Sequence, residues 1–359
     1  MYPVLLTRHA DTLRATWLKE TERIVDDMRD MGRASPEALE VVRNFLGANG
    51  KFVRPSLLLF GFEAHGGEIS PTIIKLAISL ELLHIYLLVH DDIIDASDMR
   101  RGVPALHKSF EAYHEAHKLR GQSVGFGISM AILIGDLLCA EAERPWTEAA
   151  ATGVASSEAR LVFDELKQEV GWGQYRDTAL TVEREPVPLD DILAIMSEKS
   201  GRYSIYRPIQ IGALLAGKTI EDSGWLETFG INLGIVFQGV DDILGVFGDS
   251  EVVGKSVDSD LRERKFTLLT HFAFASASPT DRKHIETFFG YSKEDSANLM
   301  PALEEVRTLF EKYEVAKKTR AVIQAHYDKA VAAISASGLS EERQTELHAF
   351  AEFILNRKK

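Results

Sequence analysis

The chain has 359 residues, 45% hydrophobic and 26% charged, an ordinary globular composition with enough apolar mass for one large core or two smaller ones. Its 41 Lys and Arg stand against 54 Asp and Glu, and the formal net charge of −13 argues against a general nucleic-acid or anionic-membrane surface. Any anionic ligand must therefore find its cations gathered locally. The apolar opening from Met1 to Leu6 is cut short by Arg8 and His9 with no small-residue cleavage site after it, so the protein is expected to stay in the cytoplasm. Apolar residues at three- and four-residue spacing predict helices over 7–32, 36–47, 71–96, 124–143, 155–171, 189–199, 203–215, 223–248, 265–275, 302–335 and 340–356. The polar stretch 102–124, with Pro104 near its start and Gly121 near its end, reads as a long connection holding a helical turn or two. Few runs alternate as strands do, and no low-complexity linker or fixed repeat divides the chain, so the expectation is an all-α single domain over 1–359. Cys139, the single cysteine, lies in an apolar stretch and has no internal disulfide partner, which fits a reducing compartment. The runs 73–89 and 124–140 are apolar, but Lys75, Glu81 and His84 interrupt the first and Asp136 the second. No integral membrane segment is expected, since a span needs about 18 uninterrupted apolar residues.

The chemistry-bearing segment is Glu81-Leu-Leu-His-Ile-Tyr-Leu-Leu-Val-His-Asp91-Asp-Ile-Ile-Asp95, an apolar helix ending in three carboxylates. Helical offsets of seven and four bring His84, Asp91 and Asp95 onto one stripe. Like charges on one stripe repel unless a hard cation lies between them; the ordinary alternative is a solvated helix end. A second cluster, Phe237-Gln-Gly-Val-Asp241-Asp-Ile-Leu-Gly-Val-Phe-Gly-Asp249, again leaves an apolar helix. Two such clusters facing each other across a bundle could hold several Mg²⁺ ions, whose remaining coordination positions suit water and the phosphate oxygens of a diphosphate. Cations flank both clusters: Arg100 and Arg101 after the first, Lys51 and Arg54 at an apparent helix start, Lys255 and Lys265 beyond the second. Taken singly, each could be an ordinary surface charge.

These residues resemble the trans-isoprenyl diphosphate synthases, the polyprenyl synthetase family, over about residues 47–270. Asp91-Asp92-Ile-Ile-Asp95 is similar to the family's first aspartate-rich motif, and Asp241-Asp242 after Gln238 to its second. The resemblance implies helices packed around a central cavity, the isoprenoid synthase fold, and a homodimer. It implies Mg²⁺, three ions once substrate is bound, held by Asp91, Asp92, Asp95, Asp241 and Asp242. It places Arg100, Lys199, Lys255 and Lys265 on an allylic diphosphate and Lys51, Arg54, His84 and Arg101 on isopentenyl diphosphate. Asp91, Asp95, Asp241, Lys199 and Gln238 are then the catalytic residues, with Gln238, Ser200 and the Lys199 carbonyl turned toward a carbocation. Gly173-Gln174-Tyr-Arg-Asp177 and Gly135-Asp136 resemble two further recurrent segments with supporting roles. Two departures stand out: Gly245 where many members carry a third Asp, and Ser200 where Thr is usual.

Tyr86 lies five residues before Asp91, about 7.5 Å along a helix axis, with Leu87 beside it. As a floor for the growing tail the pair resembles that of short-chain members, favouring a geranylgeranyl product over farnesyl; the alternative is plain packing against a neighbouring helix. Other classes make distinct demands. A class I terpene cyclase would mix Asn, Ser and Glu in its second motif, and a regulatory subunit would have lost carboxylates. A di-iron bundle would use the Glu81/His84 and Glu111/His114 pairs and leave the cations unexplained. The basic end Arg357-Lys-Lys has two readings, closure over the site and a solvated tail, and the second is the ordinary expectation.

Overall fold

Ser35 and Ser70 each stand before a proline, and each hydroxyl accepts a hydrogen bond from the backbone N–H three residues on, Ala38 at 3.2 Å and Ile73 at 3.4 Å. A capping side chain followed by proline in the first turn is a strong helix start, and two of the predicted helices begin there. The computed structural model describes residues 2–32, 34–48, 50–182, 187–218, 224–248, 261, 265–290 and 296–357. Its elements are α1 (Val4–Thr7), α2 (Ala10–Met31), α3 (Pro36–Gly47), α4 (Val53–Ala64), α5 (Pro71–Ile94), β1 (Met99–Arg100), β2 (Val103–Pro104), α6 (Leu106–Ala116), α7 (Ser123–Ala151), α8 (Ser157–Leu180) and α9 (Leu189–Met196). A π-helix (Ser197–Tyr206) follows, then α10 (Arg207–Leu215), α11 (Gly224–Phe247), α12 (Leu268–Ser276), α13 (Pro279–Gly290), α14 (Ser296–Lys312), α15 (Val315–Ile334) and α16 (Glu341–Leu355). The fold is all-α apart from the small β1–β2 hairpin.

The chain divides into two compact units. The first holds Met1–Val162 with Pro208–Ile220. Its centre is α5, apolar on every side and packed against α7 and α4, while α6 lies on α7 and α3. The connection predicted over 102–124 thus carries three turns of helix, because Leu106 and Phe110 are buried on one face. α7 overruns its predicted end at 143 and passes through Pro145. Proline in a helix interior costs about 3 kcal/mol, and the burial of Ala142, Trp146 and Ala149 on one face offsets it, with the Trp146 indole donating to Ser79 Oγ at 2.9 Å.

The second unit holds Phe163–Arg207 with Glu221–Lys359. α11 is its spine, packed against α15, the π-helix and α16, with Phe229, Leu233 and Val236 fully buried. The single helix predicted over 302–335 is two, because Glu314 takes a left-handed φ of 49° and breaks α14 from α15.

By length and composition α5, α7 and α11 each could cross a membrane. The apolar windows of α5 and α11 are 67% and 61% buried within the protein, as those of core helices are, whereas that of α7 is 28% buried.

Candidate active site

In the first unit, α5 delivers three carboxylates into three environments. Asp92 is completely buried, while Asp91 and Asp95 are partly exposed. The Asp95 N–H bonds to the Asp91 carbonyl at 2.8 Å, so Asp95 stays one turn beyond Asp91 on the stripe that the spacing predicted. The chain then doubles back through β1 and β2, with Arg100 paired to Val103 around Arg101 and Gly102. Both turn residues have positive φ, 53° and 81°, as a two-residue hairpin of this hand requires.

The hairpin returns Arg100 to the end of α5. Its Nε donates to Asp92 Oδ1 at 2.8 Å, Nη2 donates to the same oxygen, and Nη2 lies 3.6 Å from Asp91 Oδ2. Burial disfavours the Arg100 charge, but the Asp92 hydrogen bond, then the charges of Asp92, Asp91 and Asp95, overcome it and hold the proton more firmly than usual.

Two turns earlier on α5 stands His84. Burial pushes it well below the usual histidine range, and Arg54, Arg101 and Arg100, in that order, push it further. Arg54 comes from the first turn of α4, whose entry is pinned by Phe52, buried, left-handed at φ 48° and edge-on to Trp17 with ring centroids 6.1 Å apart. Lys51 lies exposed just outside that turn. The structure thus brings Arg54, Arg100 and Arg101 into each other's field around a neutral imidazole, an arrangement suited to an anion of more than one negative charge.

Tyr86 points its ring at the edge of His90, centroids 4.8 Å apart. His90 Nε2 lies 3.3 Å from the Ile132 carbonyl and 3.8 Å from Asp136 Oδ1 on α7, over Gly135, where a Cβ would come within 2.5 Å of the ring nitrogen. Gly135 is therefore the clearance for His90. The Glu111/His114 pair forms no metal constellation: Glu111 holds Lys108, and His114 Nε2 lies 3.1 Å from the Arg120 carbonyl.

In the second unit the π-helix is the organising feature. Its widened turns are accommodated by Gly201 and Gly234, whose backbones meet so closely that a Cβ on Gly234 would lie 2.1 Å from Gly201 Cα. This sets Ser200 over α11, where its hydroxyl donates to Gln238 Oε1 at 2.9 Å and Gln238 Nε2 donates to Asp242 Oδ1 at 2.8 Å. Asp242 is buried; Asp241 beside it is partly exposed. Lys199 Nζ reaches Asp177 Oδ2, at the end of the Gly-Gln segment on α8, at 2.7 Å. Lys265 lies among the described residues just before α12, whereas Lys255 and Asp249 lie outside them.

The expectation of a solvated C-terminal tail is overturned at Arg357. α16 runs along α11, so that Arg357 Nη2 lies 2.7 Å from Asp241 Oδ1 and the guanidinium stacks 4.2 Å from the centre of the Phe237 ring. Of the two readings of the basic end, Arg357 follows closure onto the second acidic cluster, while Lys358 and Lys359 lie outside the described residues.

Carboxylates at the ends of apolar helices, with arginines folded back onto them in an all-helical frame, are the working parts of a helical prenyltransferase. The family model described as polyprenyl synthetase matches residues 35–306, and the chain belongs to that family. The short chain isoprenyl diphosphate synthase of Methanothermobacter thermautotrophicus is 30% identical over 97% of this chain and 98% of its own. The geranylfarnesyl diphosphate synthase of Aeropyrum pernix is 35% identical over 68% of this chain and 71% of its own. Among solved structures, geranylgeranyl pyrophosphate synthase from Corynebacterium glutamicum, complexed with isoprenyl diphosphate and magnesium, superposes with a TM-score of 0.86 at 28% identity, covering 97% of this chain and 99% of that one.

Proposed function

We propose that the chain condenses an allylic diphosphate (dimethylallyl, geranyl or farnesyl) with isopentenyl diphosphate in trans, with Mg²⁺, and ends at the C20 geranylgeranyl product. The observation that carries this reading is the group of Arg54, Arg100 and Arg101 about a neutral His84, beside Asp91 and Asp95. The donor set fits Mg²⁺: a hard ion that usually takes one or two protein carboxylates and completes its octahedron with water and phosphate oxygens. Among the described residues no three His, Cys, Asp or Glu side chains gather as a cluster, and such a site needs none. Asp91 and Asp95 on α5 and Asp241 on α11 are the carboxylates assigned to the ions; buried Asp92 and Asp242 hold Arg100 and Gln238 in place.

Bound Mg²⁺ supplies neutralisation of the departing diphosphate. Arg100, Lys199 and Lys265 grip the allylic diphosphate as its carbon–oxygen bond breaks and the electron pair leaves with oxygen. The double bond of isopentenyl diphosphate attacks the resulting cation, a proton passes to the released diphosphate, and the product is five carbons longer. Lys51, Arg54, His84 and Arg101 orient isopentenyl diphosphate, while the Ser200 and Gln238 oxygens face the cation. The family match, residues 35–306, takes in residues of both compact units, which supports reading the chain as a single synthase domain in the family's sense. Incubation of the protein with dimethylallyl and isopentenyl diphosphates, followed by product sizing, tests the reading. Release of a cyclic hydrocarbon from an allylic diphosphate alone would overturn it in favour of a cyclase, and no turnover at all in favour of a regulatory subunit.

Product length rests on Tyr86 and Leu87, since the relatives include geranylgeranyl, geranylfarnesyl and farnesyl synthases. Tyr86→Ala is expected to lengthen the main product by one or more five-carbon units while leaving the first condensation intact. An unchanged product distribution removes Tyr86 as the floor.

The partner proposed is a second copy of the chain. α7 leaves Val124, Ile132, Leu133 and Leu137 exposed, and Leu133 and Leu137, 57% and 46% exposed, lie one turn apart on one face, apolar surface that water disfavours. Leu133→Arg is expected to shift the sedimentation of the protein from dimer to monomer, and a wild-type protein that sediments as a monomer counts against the assignment.

A further inference from the structure

Glu81 is a buried carboxylate that the chemistry above does not use. It sits on α5 one turn before His84, with 2% of its side chain exposed, and the cation beside it is Arg101, whose Nη2 donates to Glu81 Oε1 at 3.3 Å. A charge so deeply placed is tolerated only when paired. Arg101 for its part occupies a left-handed backbone position that a non-glycine residue adopts at a cost. Both costs are met by one contact between the hairpin turn and α5. The adjoining Arg100 leaves the same turn in another direction, to Asp92 and Asp91. The hairpin thus separates two adjacent guanidiniums, one referred to the carboxylate cluster and one to Glu81.

A third strand of chain closes the arrangement. Gly50, which precedes Lys51, passes so close that a Cβ there would lie 2.5 Å from Glu81 Oε1 and 3.1 Å from Arg101 Nη1. The absence of a side chain at residue 50 is therefore what leaves room for the pair.

We propose that Glu81 is a positioning residue: it fixes the orientation of Arg101, and through it the recognition of the diphosphate of isopentenyl diphosphate, while taking no part in ionisation of the allylic partner. This rests on the reading of Arg101 as a ligand of that diphosphate. Glu81 spends its charge on one edge of the guanidinium and leaves Nη1, on the Gly50 side, for the ligand. Without it Arg101 would stay charged but lose its direction, and the left-handed turn would lose the contact that holds it.

The test is steady-state kinetics on the full chain with each substrate varied in turn, for Glu81→Gln, Gly50→Ala, Arg101→Ala and the double variant Glu81→Gln with Arg101→Ala. Glu81→Gln keeps the shape of the side chain and removes only its charge, and Gly50→Ala displaces the pair without changing either member. Each is expected to raise KM for isopentenyl diphosphate about tenfold, the scale of a lost charge-assisted hydrogen bond, with KM for the allylic substrate and kcat changed less than about twofold. The double variant is expected to be no worse than Arg101→Ala alone, because Glu81 acts through Arg101. Equal rises in both KM values, or fully multiplicative effects in the double variant, overturn the proposal and make Glu81 a structural residue. An unchanged KM for isopentenyl diphosphate in Arg101→Ala overturns the underlying assignment of Arg101, and the proposal with it.

Discussion

Replacing Asp91 with alanine is expected to lower turnover by about 10³-fold or more, the scale of several kcal/mol of transition-state stabilisation supplied through a bound metal, while leaving the helical fold and its melting temperature nearly unchanged. The contrast with its neighbour makes the prediction sharp. Asp91 is partly exposed and lies 3.6 Å from Arg100, so the side chain removed takes little buried surface with it. Asp92 is completely buried and accepts two hydrogen bonds from Arg100. Asp92→Ala leaves a mostly buried guanidinium without its main counter-charge, a change that typically costs about 3–5 kcal/mol. Adjacent aspartates should therefore fail differently: Asp91→Ala folded and inactive, Asp92→Ala destabilised first. Thermal unfolding followed by circular dichroism, alongside steady-state turnover, separates the two, and near-normal turnover in Asp91→Ala removes that residue from metal binding.

The sequence announced Asp91 and Asp95 because an apolar run that ends in like charges at helical spacing has few explanations. It did not announce which carboxylate would hold Arg100. That depends on a two-residue hairpin whose only trace in the sequence is Arg101-Gly102, and on Arg101 accepting a left-handed backbone. Of α4 the sequence shows the start, at Lys51 to Arg54, and not the extent, for a related reason: Leu57 to Phe60 are buried on every side, so its apolar residues show no period to read. α13 was missed for the opposite one, its polar surface hiding the two anchors Ile285 and Phe288. The π-helix has no local signal at all. It exists because Gly201 and Gly234 let two backbones approach, and that is a property of packing between distant segments. Ser200, Gln238 and Asp242 were each visible as candidates, yet their linkage in one chain of hydrogen bonds follows from the π-helix alone.

Asp241→Ala is expected to lower turnover by about 10²- to 10³-fold, and Arg357→Gln to do the reverse to metal binding. Asp241 is the partly exposed carboxylate of the second cluster, yet a cation already holds it: Arg357 engages both of its oxygens, at 2.7 and 3.3 Å. A metal ion must displace that guanidinium before Asp241 can serve it. With Arg357 mostly buried and Asp241 about one-third exposed, the pair lies between a surface bridge and a buried one and is worth about 1 kcal/mol, so Arg357 weakens metal binding by about fivefold. The loss of Asp241, by contrast, removes a ligand outright, and with Gly245 in place of a third carboxylate α11 has no partly exposed Asp one turn on to take over. Titration of Mn²⁺ by electron paramagnetic resonance, in the presence of inorganic diphosphate, reads both effects without turnover. Arg357→Gln should tighten the ion by a few-fold and Asp241→Ala should weaken it far more. If Arg357→Gln binds the ion no better than the native chain while Asp241→Ala weakens it, the arginine does not compete for the ligand. If Asp241→Ala binds it as well as the native chain, the second acidic cluster is not part of the metal site, and the ions are held from α5 alone.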